Sequence, residues 1–305
     1  MNKNSTDRSS DPFSQTRPSQ RYEPEPFEPI PFTLKRKLHY PIWWLVFLAG
    51  LFILYLVFPS NNTILVLGID RSFENTAIGR SDTNILLSIN TLSGEVKGIS
   101  IPRDLWVKIP NYGENRINAA HYFGEGEAPG NGVILAMDTL EFNFQIRPDY
   151  YIRIQLEKFP QVIDSLGGID ITLTETTAGY APGTHHLDGT QALAFVRNRS
   201  GTDDFFRMAQ GQIFLKAFLQ KLLRPSGWVQ IPNLIIASLE VIDTNIPIWQ
   251  QPRLLVAVLR ASQNKFELTA ISREMVTPWV TDAGAQVLLP RWELIRPLFN
   301  RTFSP

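Results

Sequence analysis

The 305-residue sequence contains no cysteine, which excludes a thiol nucleophile, a thiolate metal site and a disulfide framework. It also lacks a net charge, because 29 basic side chains balance 29 acidic ones. A chain without excess positive charge has no long-range field that attracts nucleic acid, so we expect no nucleic-acid partner. Any site for an anion must therefore be assembled from a local cluster of basic residues.

Several signatures of common enzymes are also missing. The sequence has no Gly-rich Walker loop, no GxSxG nucleophile elbow and no HExxH motif. Its four histidines do not have the spacing of zinc ligands, and the adjacent pair His185-His186 is expected in a polar loop. These absences argue against the common hydrolases and kinases and against a zinc enzyme.

Two N-terminal segments differ in composition from the rest of the chain. Residues 1–40 mix polar residues with repeated prolines, which interrupt helices and strands, and so predict a disordered tail. Ile42–Phe58 is a run of 17 residues without a charge, the short end of what spans a bilayer. A cleaved signal peptide and a buried core helix are the alternatives. The late start of the run, the absence of a small-x-small cleavage site and its apolar character on every face favour an uncleaved anchor at 41–59.

The charges that flank the apolar run predict its orientation. Lys35–Lys37 are basic and precede the run, whereas the first charges after it are Asp70 and Arg71. Basic residues favour the cytoplasmic side of a membrane, so the N-terminal tail is expected in the cytoplasm. Residues 60–305 would then form an extracytoplasmic domain that a single span holds at the cell membrane, with the lipid bilayer as a partner.

The remainder of the chain has the pattern of an α/β domain. Its apolar residues, 44% of the sequence, are enough for a packed core, and β-branched runs alternate with amphipathic stretches. We predict strands at Thr63–Ile69, Asn84–Ile89, Val96–Ile101, Tyr150–Ile154, Ile169–Leu173 and Phe266–Ile271. We predict helices at Gly132–Phe142, Leu156–Leu166, Gly189–Arg197, Phe205–Leu223 and Gln250–Ala261. Asp188 and Gln191 have the spacing of a capping box at the start of the third of these helices.

Two carboxylates follow neighbouring predicted strands. Asp70 ends the first strand, and the segment Gly79–Thr83, which contains Arg80 and Asp82, leads into the second. Mg²⁺ takes one or two carboxylates and completes its shell with water or phosphate oxygens, so these two residues can hold it against a diphosphate. Arg80 would neutralise the same anion. The alternative, which spacing alone favours, is that Asp82 caps a turn and pairs with Arg80.

Two further arginines flank a predicted strand end and a predicted helix start. Arg103 follows the strand that ends near Ser100, and Arg116 shortly precedes a helix start. Helix N-termini attract phosphate through free N–H groups and the helix dipole. A surface ion pair between Arg103 and Asp104 is the ordinary alternative.

Three more arginines gather around one predicted helix end. Arg197, Arg199 and Arg207 surround the end of the helix that begins at Gly189 and the loop after it, beside apolar residues such as Phe195. Like charges close to a core are costly unless an anion compensates them, and the arginine fork suits phosphate. A solvated basic face is the alternative, but the apolar residues leave little room for it. The pattern therefore favours an anion site.

Taken in order after the apolar run, the motifs LGID, GRSDT, IPRD, RINAA, DGTQALAFVRNR and DDFFR resemble the LytR-CpsA-Psr family of bacterial envelope proteins. The resemblance covers roughly residues 61–300 and includes Asp164 and Leu166–Asp170. It implies a three-layer α/β/α sandwich around a central mixed sheet, preceded by one transmembrane helix. It also implies transfer of a phosphate-linked glycopolymer from a polyprenyl-pyrophosphate carrier to peptidoglycan.

The resemblance assigns roles to the residues above. It implies that Asp70 and Asp82 bind Mg²⁺ (or Mn²⁺). It implies that the pyrophosphate is bound by six arginines: Arg80, Arg103, Arg116, Arg197, Arg199 and Arg207. All of these except Arg116 are also expected to be catalytic. The prenyl chain needs an apolar slot, for which Val133–Phe144 and Phe205–Leu223 are the candidate helices.

The sequence departs from the family pattern at two places. The family continues its D-F-x-R segment as R-x-x-R-Q, whereas Gln210 and Gly211 stand here in place of the second Arg and the Gln. Arg116 replaces the usual Lys before I-N-A and keeps its charge. Two alternative functions therefore stay open, a non-catalytic polyprenyl-phosphate binding module and a pyrophosphate hydrolase. A transcriptional regulator is disfavoured, because an external domain has no access to DNA.

Overall fold

The computed structural model describes residues 42–71, 78–198, 204–223, 230–239, 241–261 and 266–303. The first element, α1, is a 16-residue helix at Ile42–Val57. The boundary between two compact units, residues 1–46 and 47–305, falls within α1. None of the helices in the described ranges has both the length and the hydropathy that crossing a membrane requires.

The strands of the second unit are β1 (Asn61–Arg71), β2 (Gly79–Asn90), β3 (Glu95–Ser100), β4 (Trp106–Ile109), β5 (Gly113–Arg116), β6 (Tyr150–Gln155), β7 (Ile169–Leu173), β8 (Gly183–Leu187), β9 (Ile242–Thr244), β10 (Phe266–Ala270), β11 (Val276–Val280) and β12 (Gln286–Pro290). Its helices after α1 are α2 (Ala119–Glu127), α3 (Asn131–Phe144), α4 (Phe159–Ser165), α5 (Gly189–Arg197), α6 (Asp204–Leu223), α7 (Ile231–Leu239), α8 (Gln251–Arg260) and α9 (Trp292–Phe303).

Six of these strands form a central mixed sheet in the order β10-β3-β2-β1-β6-β9. Strand β1 pairs antiparallel with β2 and parallel with β6. Strands β4 and β5, β7 and β8, and β11 and β12 form separate two-stranded hairpins. The predicted mixed α/β fold with a central mixed sheet is thus confirmed.

Helices pack on both faces of this sheet. Because side chains alternate along a strand, Leu67 of β1 joins a core cluster with Leu140 of α3 and Phe299 of α9. Ile64 of the same strand joins a different cluster with Leu254 of α8. The polar ends of the strands are left at the edges of these apolar layers, where a site can form.

A third apolar cluster lies beside the sheet and supports two of the predicted site residues. It packs the β7–β8 hairpin against α4, α5 and α6 through residues that include Ile171, Leu187, Phe195 and Phe214. Arg197 is the last residue of α5, and Arg207 lies in the first turn of α6. The cluster therefore fixes both arginines relative to each other.

The predicted capping box at the start of α5 is confirmed. The side chain of Asp188 accepts a hydrogen bond from the backbone N–H of Gln191 at 2.8 Å, and the side chain of Gln191 accepts one from the N–H of Asp188 at 3.1 Å. The backbone N–H of Gly189 also donates to Oδ1 of Asp164 at 2.7 Å. These contacts hold the N-terminal end of the helix whose last residue is Arg197.

The predicted strands and helices are confirmed within a few residues, with two corrections. The helix predicted at Leu156–Leu166 is the shorter α4, because Pro160 sits in its first turn and residues 167 and 168 are glycines with positive φ. The prediction that His185-His186 lie in a polar loop was wrong. Both histidines lie in β8, where His186 pairs with Asp170 in the ladder and its Nδ1 is 2.7 Å from that carboxylate.

Candidate functional site

The predicted site residues meet at one end of strands β1 and β2. Arg197 donates from Nη2 to Oδ1 of Asp70 at 2.7 Å, although 127 positions separate the two residues. Arg103 donates from Nη1 to Oδ1 of Asp82 at 2.8 Å. Arg80 is directly opposite Asp70 in the β1–β2 ladder. Folding thus joins two carboxylates to arginines from separate parts of the chain.

A β-bulge determines the position of Asp82. Gly68 pairs with Thr83, whereas the next residue, Ile69, pairs with Ser81, so Asp82 is an extra residue in β2. Bulges re-aim side chains and recur next to functional sites. The segment was predicted to lead into the strand, but it belongs to the strand itself, and Asp82 accepts its hydrogen bond from Arg103 rather than from Arg80.

The charges continue as an alternating row. Arg207 approaches the second oxygen of Asp82 at 4.0 Å, and Arg103 is 3.6 Å from Asp104 through its Nε. Asp104 is also 3.4 Å from Arg116, whose Nη2 donates to the carbonyl of Gln286 at 2.8 Å. The ion pair between Arg103 and Asp104 therefore exists as part of a larger network.

Two arginines of the prediction stand apart from this row. Arg80 is exposed, and its guanidinium carbon lies 6.0 Å from the ring centre of Tyr122. Arg199 lies outside the described residues. We refer to the described members together as the strand-end site, which consists of Arg80, Arg103, Arg116, Arg197, Arg207, Asp70, Asp82 and Asp104.

The strand-end site borders a cavity of about 180 Å³. Its charged lining residues are Asp70, Asp82, Arg197 and Arg207. The remaining lining is largely apolar or small, and comprises Thr83, Asn84, Ile85, Ser100, Ile101, Leu156, Val196, Met208 and Gly211. The cavity therefore has a charged part and an apolar part, and α6 contributes Arg207, Met208 and Gly211 to its lining, whereas no residue of α3 lines it.

The charge balance of the strand-end site favours an anion. Four arginines pair with its three aspartates and Arg80 lies nearby, so the cations outnumber the anions among its members. The buried Nε of Arg197 has no hydrogen-bond partner among the described residues. A buried donor without a partner costs free energy that a bound oxyanion would recover. Phosphate oxygens match both the charge and the fork geometry of arginine.

The two carboxylates also fit a hard cation. Asp70 and Asp82 line the same cavity, and their side chains are 39% and 20% exposed. Mg²⁺ typically uses one or two carboxylates and takes its other ligands from water and phosphate. No group of three or more acidic or histidine side chains with metal-site geometry occurs within the described residues. The donor set therefore fits a cation that is shared with a bound phosphate.

Gln210, one of the departures from the family pattern, has a structural contact at this site. Its side chain is fully buried, and in the amide orientation that satisfies its hydrogen bonds it donates to the carbonyls of Phe195 and Asn198 at 3.3 and 3.2 Å. These carbonyls belong to the C-terminal end of α5. Gln210 thus links α6 to the helix end that carries Arg197.

Sequence reasoning missed a second charged cluster, which we call the His121 network. It consists of His121, Glu125, Arg153 and Asp243. Arg153 donates to Glu125 at 3.0 Å and pairs with Asp243 at 2.7 Å. Glu125 also accepts the backbone N–H groups of Gly130 and Gly132 at the start of α3. The i, i+4 spacing of His121 and Glu125 was the only signal in the sequence.

The His121 network touches the strand-end site through backbone. Nδ1 of His121 lies 2.8 Å from the carbonyl of Gly79, the residue before Arg80. A carbonyl only accepts, so Nδ1 carries the proton, and Nε2 accepts from Arg153 at 3.4 Å. Burial lowers the pKa of His121 below its ordinary value of 6.5, and the charge of Arg153 lowers it further. His121 is therefore held neutral.

Comparison with known proteins places this architecture in a family. The profile of the LytR_cpsA_psr family matches residues 59–287. A protein of Oceanobacillus iheyensis named polyisoprenyl-teichoic acid–peptidoglycan teichoic acid transferase TagU is 42% identical over 140 residues, which is 45% of this chain and 43% of that protein. The corresponding TagT of Bacillus subtilis is 32% identical over 174 residues, 52% of each chain. The matches thus span about half the length of these relatives.

Solved structures agree at the level of fold. The crystal structure of B. subtilis TagV superposes with a TM-score of 0.65 at 25% identity, covering 81% of this chain and 99% of that one. A structure described as TagT bound to LI-WTA superposes with a TM-score of 0.63 at 23% identity, covering 80% and 91% of the two chains. With a family profile that matches most of its length, the chain belongs to the LytR_cpsA_psr family.

Proposed function

We propose that this chain transfers a phosphate-linked glycopolymer from a polyprenyl-pyrophosphate carrier to peptidoglycan. The observation that carries the proposal is the strand-end site, where Arg197 and Arg207 line a partly apolar cavity together with Asp70 and Asp82, and Arg103 is bonded to Asp82. The curated relatives named above are transferases of teichoic acid to peptidoglycan, which makes a teichoic-acid-like polymer the first donor to test.

The arginines would act on the pyrophosphate. In the transfer, a hydroxyl of the acceptor attacks the phosphorus on the glycan side, the bond from that phosphorus to the bridging oxygen breaks, and polyprenyl phosphate leaves. Such a reaction needs mainly positioning and charge neutralisation. Arg197 and Arg207 line the cavity directly, and Arg103 holds Asp82 in place. Arg80, Arg116 and Arg199 would complete the pyrophosphate site.

Asp70 and Asp82 would hold Mg²⁺ or Mn²⁺. The ion, when bound, would supply positive charge against the departing phosphate. The prenyl chain would enter the apolar interior lined by Leu156, Val196 and Met208, on the α6 side of the site. Of the two predicted helices, α6 supports this slot, whereas α3 packs into the core beneath the opposite face of the sheet.

A membrane anchor at residues 41–59 belongs to the same proposal. Its support is the uncharged run that α1 occupies and the basic residues that precede it. Because the chain has no cysteine, a single cysteine at Leu92, which is 53% exposed, gives a unique label. Reaction with a membrane-impermeant maleimide in intact cells is expected if residues 60–305 are extracytoplasmic. Labelling only after lysis would contradict that orientation.

The transfer itself is tested with the full chain in detergent, a polyprenyl-pyrophosphoryl saccharide, Mg²⁺ and peptidoglycan fragments. Mass spectrometry is expected to detect a phosphodiester-linked glycan on the acceptor together with polyprenyl phosphate. Both products should disappear with EDTA and with Arg197→Ala. Arg147→Ala is the matched control, because Arg147 pairs with Asp138 and Glu141 on the surface and is 53% exposed.

Two other functions give different results in the same experiment. A hydrolase releases phospho-glycan equally fast without peptidoglycan. A binding module retains the lipid-linked donor and forms neither product. That result would indicate that catalysis is lost because Gln210 and Gly211 replace the Arg and Gln of the family pattern.

A further inference from the structure

A second cleft lies between the β4–β5 and β11–β12 hairpins and the start of α9, and we call it the tryptophan cleft. It has a volume of about 430 Å³ and is lined mainly by Trp106, Lys108, Glu114, Trp279 and Trp292. The proposed transfer reaction does not use any of these residues. Trp279 is 41% exposed on the β11–β12 hairpin, although exposing an indole to water forfeits apolar burial.

The aromatic walls of this cleft are held in fixed orientations. Trp106 and Trp279 meet edge to face, with ring centres 6.2 Å apart and an interplanar angle of 72°. Nε1 of Trp106 donates to Glu114 at 3.3 Å, which also fixes the carboxylate. Trp292 packs against Phe144 of the core at 5.4 Å. Rigid aromatic surfaces of this kind bind a ligand with little loss of entropy.

The cleft and the strand-end site share one hairpin. Trp106 is directly opposite Arg116 in the β4–β5 ladder, so the two side chains project from the same face of that hairpin. Arg116 also donates to the carbonyl of Gln286, whose neighbour Val287 pairs with Trp279. A chain bound in the cleft would therefore continue directly towards the arginines.

The chemistry of the lining fits a sugar chain. A pyranose ring has a face of C–H groups, which are attracted to the negative face of an indole, and a rim of hydroxyl groups. Glu114 can accept hydrogen bonds from these hydroxyls, and Lys108 can donate to them. These are the two charged residues that line the cleft, one of each sign, so it offers no positive field for a polyphosphate.

We propose that the tryptophan cleft binds the neutral glycan strand of the acceptor and presents its hydroxyl to the strand-end site. Binding of a neutral glycan is a property of the cleft itself, whereas its assignment to the acceptor rests on the proposed function.

The test uses the full chain in detergent, labelled with 5-fluorotryptophan, and chitohexaose as a neutral glycan probe. Fluorine NMR signals are assigned with single Trp→Phe variants. The signals of Trp106 and Trp279 are expected to shift saturably with chitohexaose, and that of Trp249 to stay fixed. Trp249 is 64% exposed but does not line the cleft, so it reports non-specific contact with sugar.

Trp279→Ala is expected to weaken binding about tenfold, the size of a lost stacking surface. Trp279→Tyr should restore most of the affinity, and the matched control Trp249→Ala should leave it unchanged. Equal affinities for wild type and Trp279→Ala, with both chains folded by circular dichroism, would overturn the proposal. Saturation of the Trp106 and Trp279 shifts at a lower concentration of a poly(glycerol phosphate) oligomer than of chitohexaose would also overturn it, since the cleft would then hold the donor polymer.

Arg197→Ala separates this inference from the proposed function. The variant is expected to abolish transfer and to bind chitohexaose normally. If the wild-type chain binds chitohexaose in the cleft but transfers nothing, the inference that the cleft binds a neutral glycan is confirmed and the proposed function is contradicted. In the active enzyme, Trp279→Ala should raise KM for peptidoglycan fragments and leave KM for the lipid-linked donor unchanged. The reverse pattern would contradict the assignment to the acceptor.

Discussion

The strand-end site and the His121 network are built from the same kinds of residues but differ in burial and in charge balance. The side chains of Glu125 and Arg153 in the network are 2% and 15% exposed, and each has an opposite charge within 3.0 Å. In the strand-end site the arginines outnumber the aspartates, and Arg197 and Asp70 are more than a third exposed. The network holds one arginine between two carboxylates, with its Glu125–Arg153 pair shielded from water, and so stabilises the fold, whereas an open cluster with surplus cations is suited to binding an anion.

The largest effect on stability is expected from removing a charge inside the His121 network. Glu125→Ala leaves Arg153 without one of its partners and removes the acceptor for two N–H groups of α3, so the free energy of unfolding should fall by about 3–5 kcal/mol. Urea denaturation followed by tryptophan fluorescence measures this. The control is Glu141→Ala, which removes a surface ion pair and should change stability by less than about 1 kcal/mol. Equal losses of stability in the two variants would contradict a stabilising role of the His121 network.

The next effect is on activity rather than stability. Arg207→Ala takes a cation from the cavity, and the transfer rate should fall by about 10²–10³-fold, as for the loss of one preorganised donor to a developing charge. The free energy of unfolding should change by less than about 1 kcal/mol, because the remaining cations still outnumber the anions. A steady-state assay beside urea denaturation separates the two readouts. A large loss of stability with normal turnover would show that Arg207 is structural.

Two glycine-to-alanine substitutions test how much space is available beside the two clusters. A Cβ on Gly211 meets nothing within 4 Å, so Gly211→Ala within α6 should raise the free energy of unfolding by about 0.5–1 kcal/mol. A Cβ on Gly132 would lie 2.6 Å from the carbonyl of His121 and 2.7 Å from Glu125, so Gly132→Ala should destabilise the fold. Thermal denaturation of both variants tests the pair. Opposite signs from those expected would contradict the described packing.

The smallest effect is a pH dependence. Because burial lowers the pKa of His121, the unfolded chain binds a proton there more readily than the folded chain. Stability from this residue is therefore fully present above about pH 6.5 and is lost as the pH falls towards the lowered pKa. His121→Gln should flatten the fall in stability between pH 7 and pH 5 and keep a donor for the carbonyl of Gly79. An unchanged profile would mean that His121 does not titrate differently on folding.

Local patterns predicted the parts of the fold that depend on local chemistry. Runs of β-branched residues located β1 and β3, and the spacing of Asp188 and Gln191 located the start of α5. The short hairpins β4–β5 and β11–β12 were missed, because their strands have only four or five residues and their stability comes from packing against other elements. They form the tryptophan cleft, so that cleft was missed as well.

The candidate site shows the same limit. Sequence motifs named its residues, but their pairing depends on the tertiary fold: Arg197 reaches Asp70 across 127 positions, and Arg103 reaches Asp82 across 21. Beyond the i, i+4 spacing of His121 and Glu125, the His121 network could not be predicted, since its members come from α2, β6 and β9. Such contacts leave no periodic signal in a single sequence.

The bulge at Asp82 makes the length of its segment as important as its composition. Deleting Asp82 would restore a regular ladder with β1, in which Ser81 stays opposite Ile69 and Arg80 stays opposite Asp70, and the edge would lose the carboxylate that Arg103 contacts. Deleting Ser81 would instead place Asp82 opposite the buried Ile69, so that its carboxylate would turn to the apolar face of β1. A substitution in this segment changes one side chain, whereas the deletion of one residue also changes the face on which Asp82 lies.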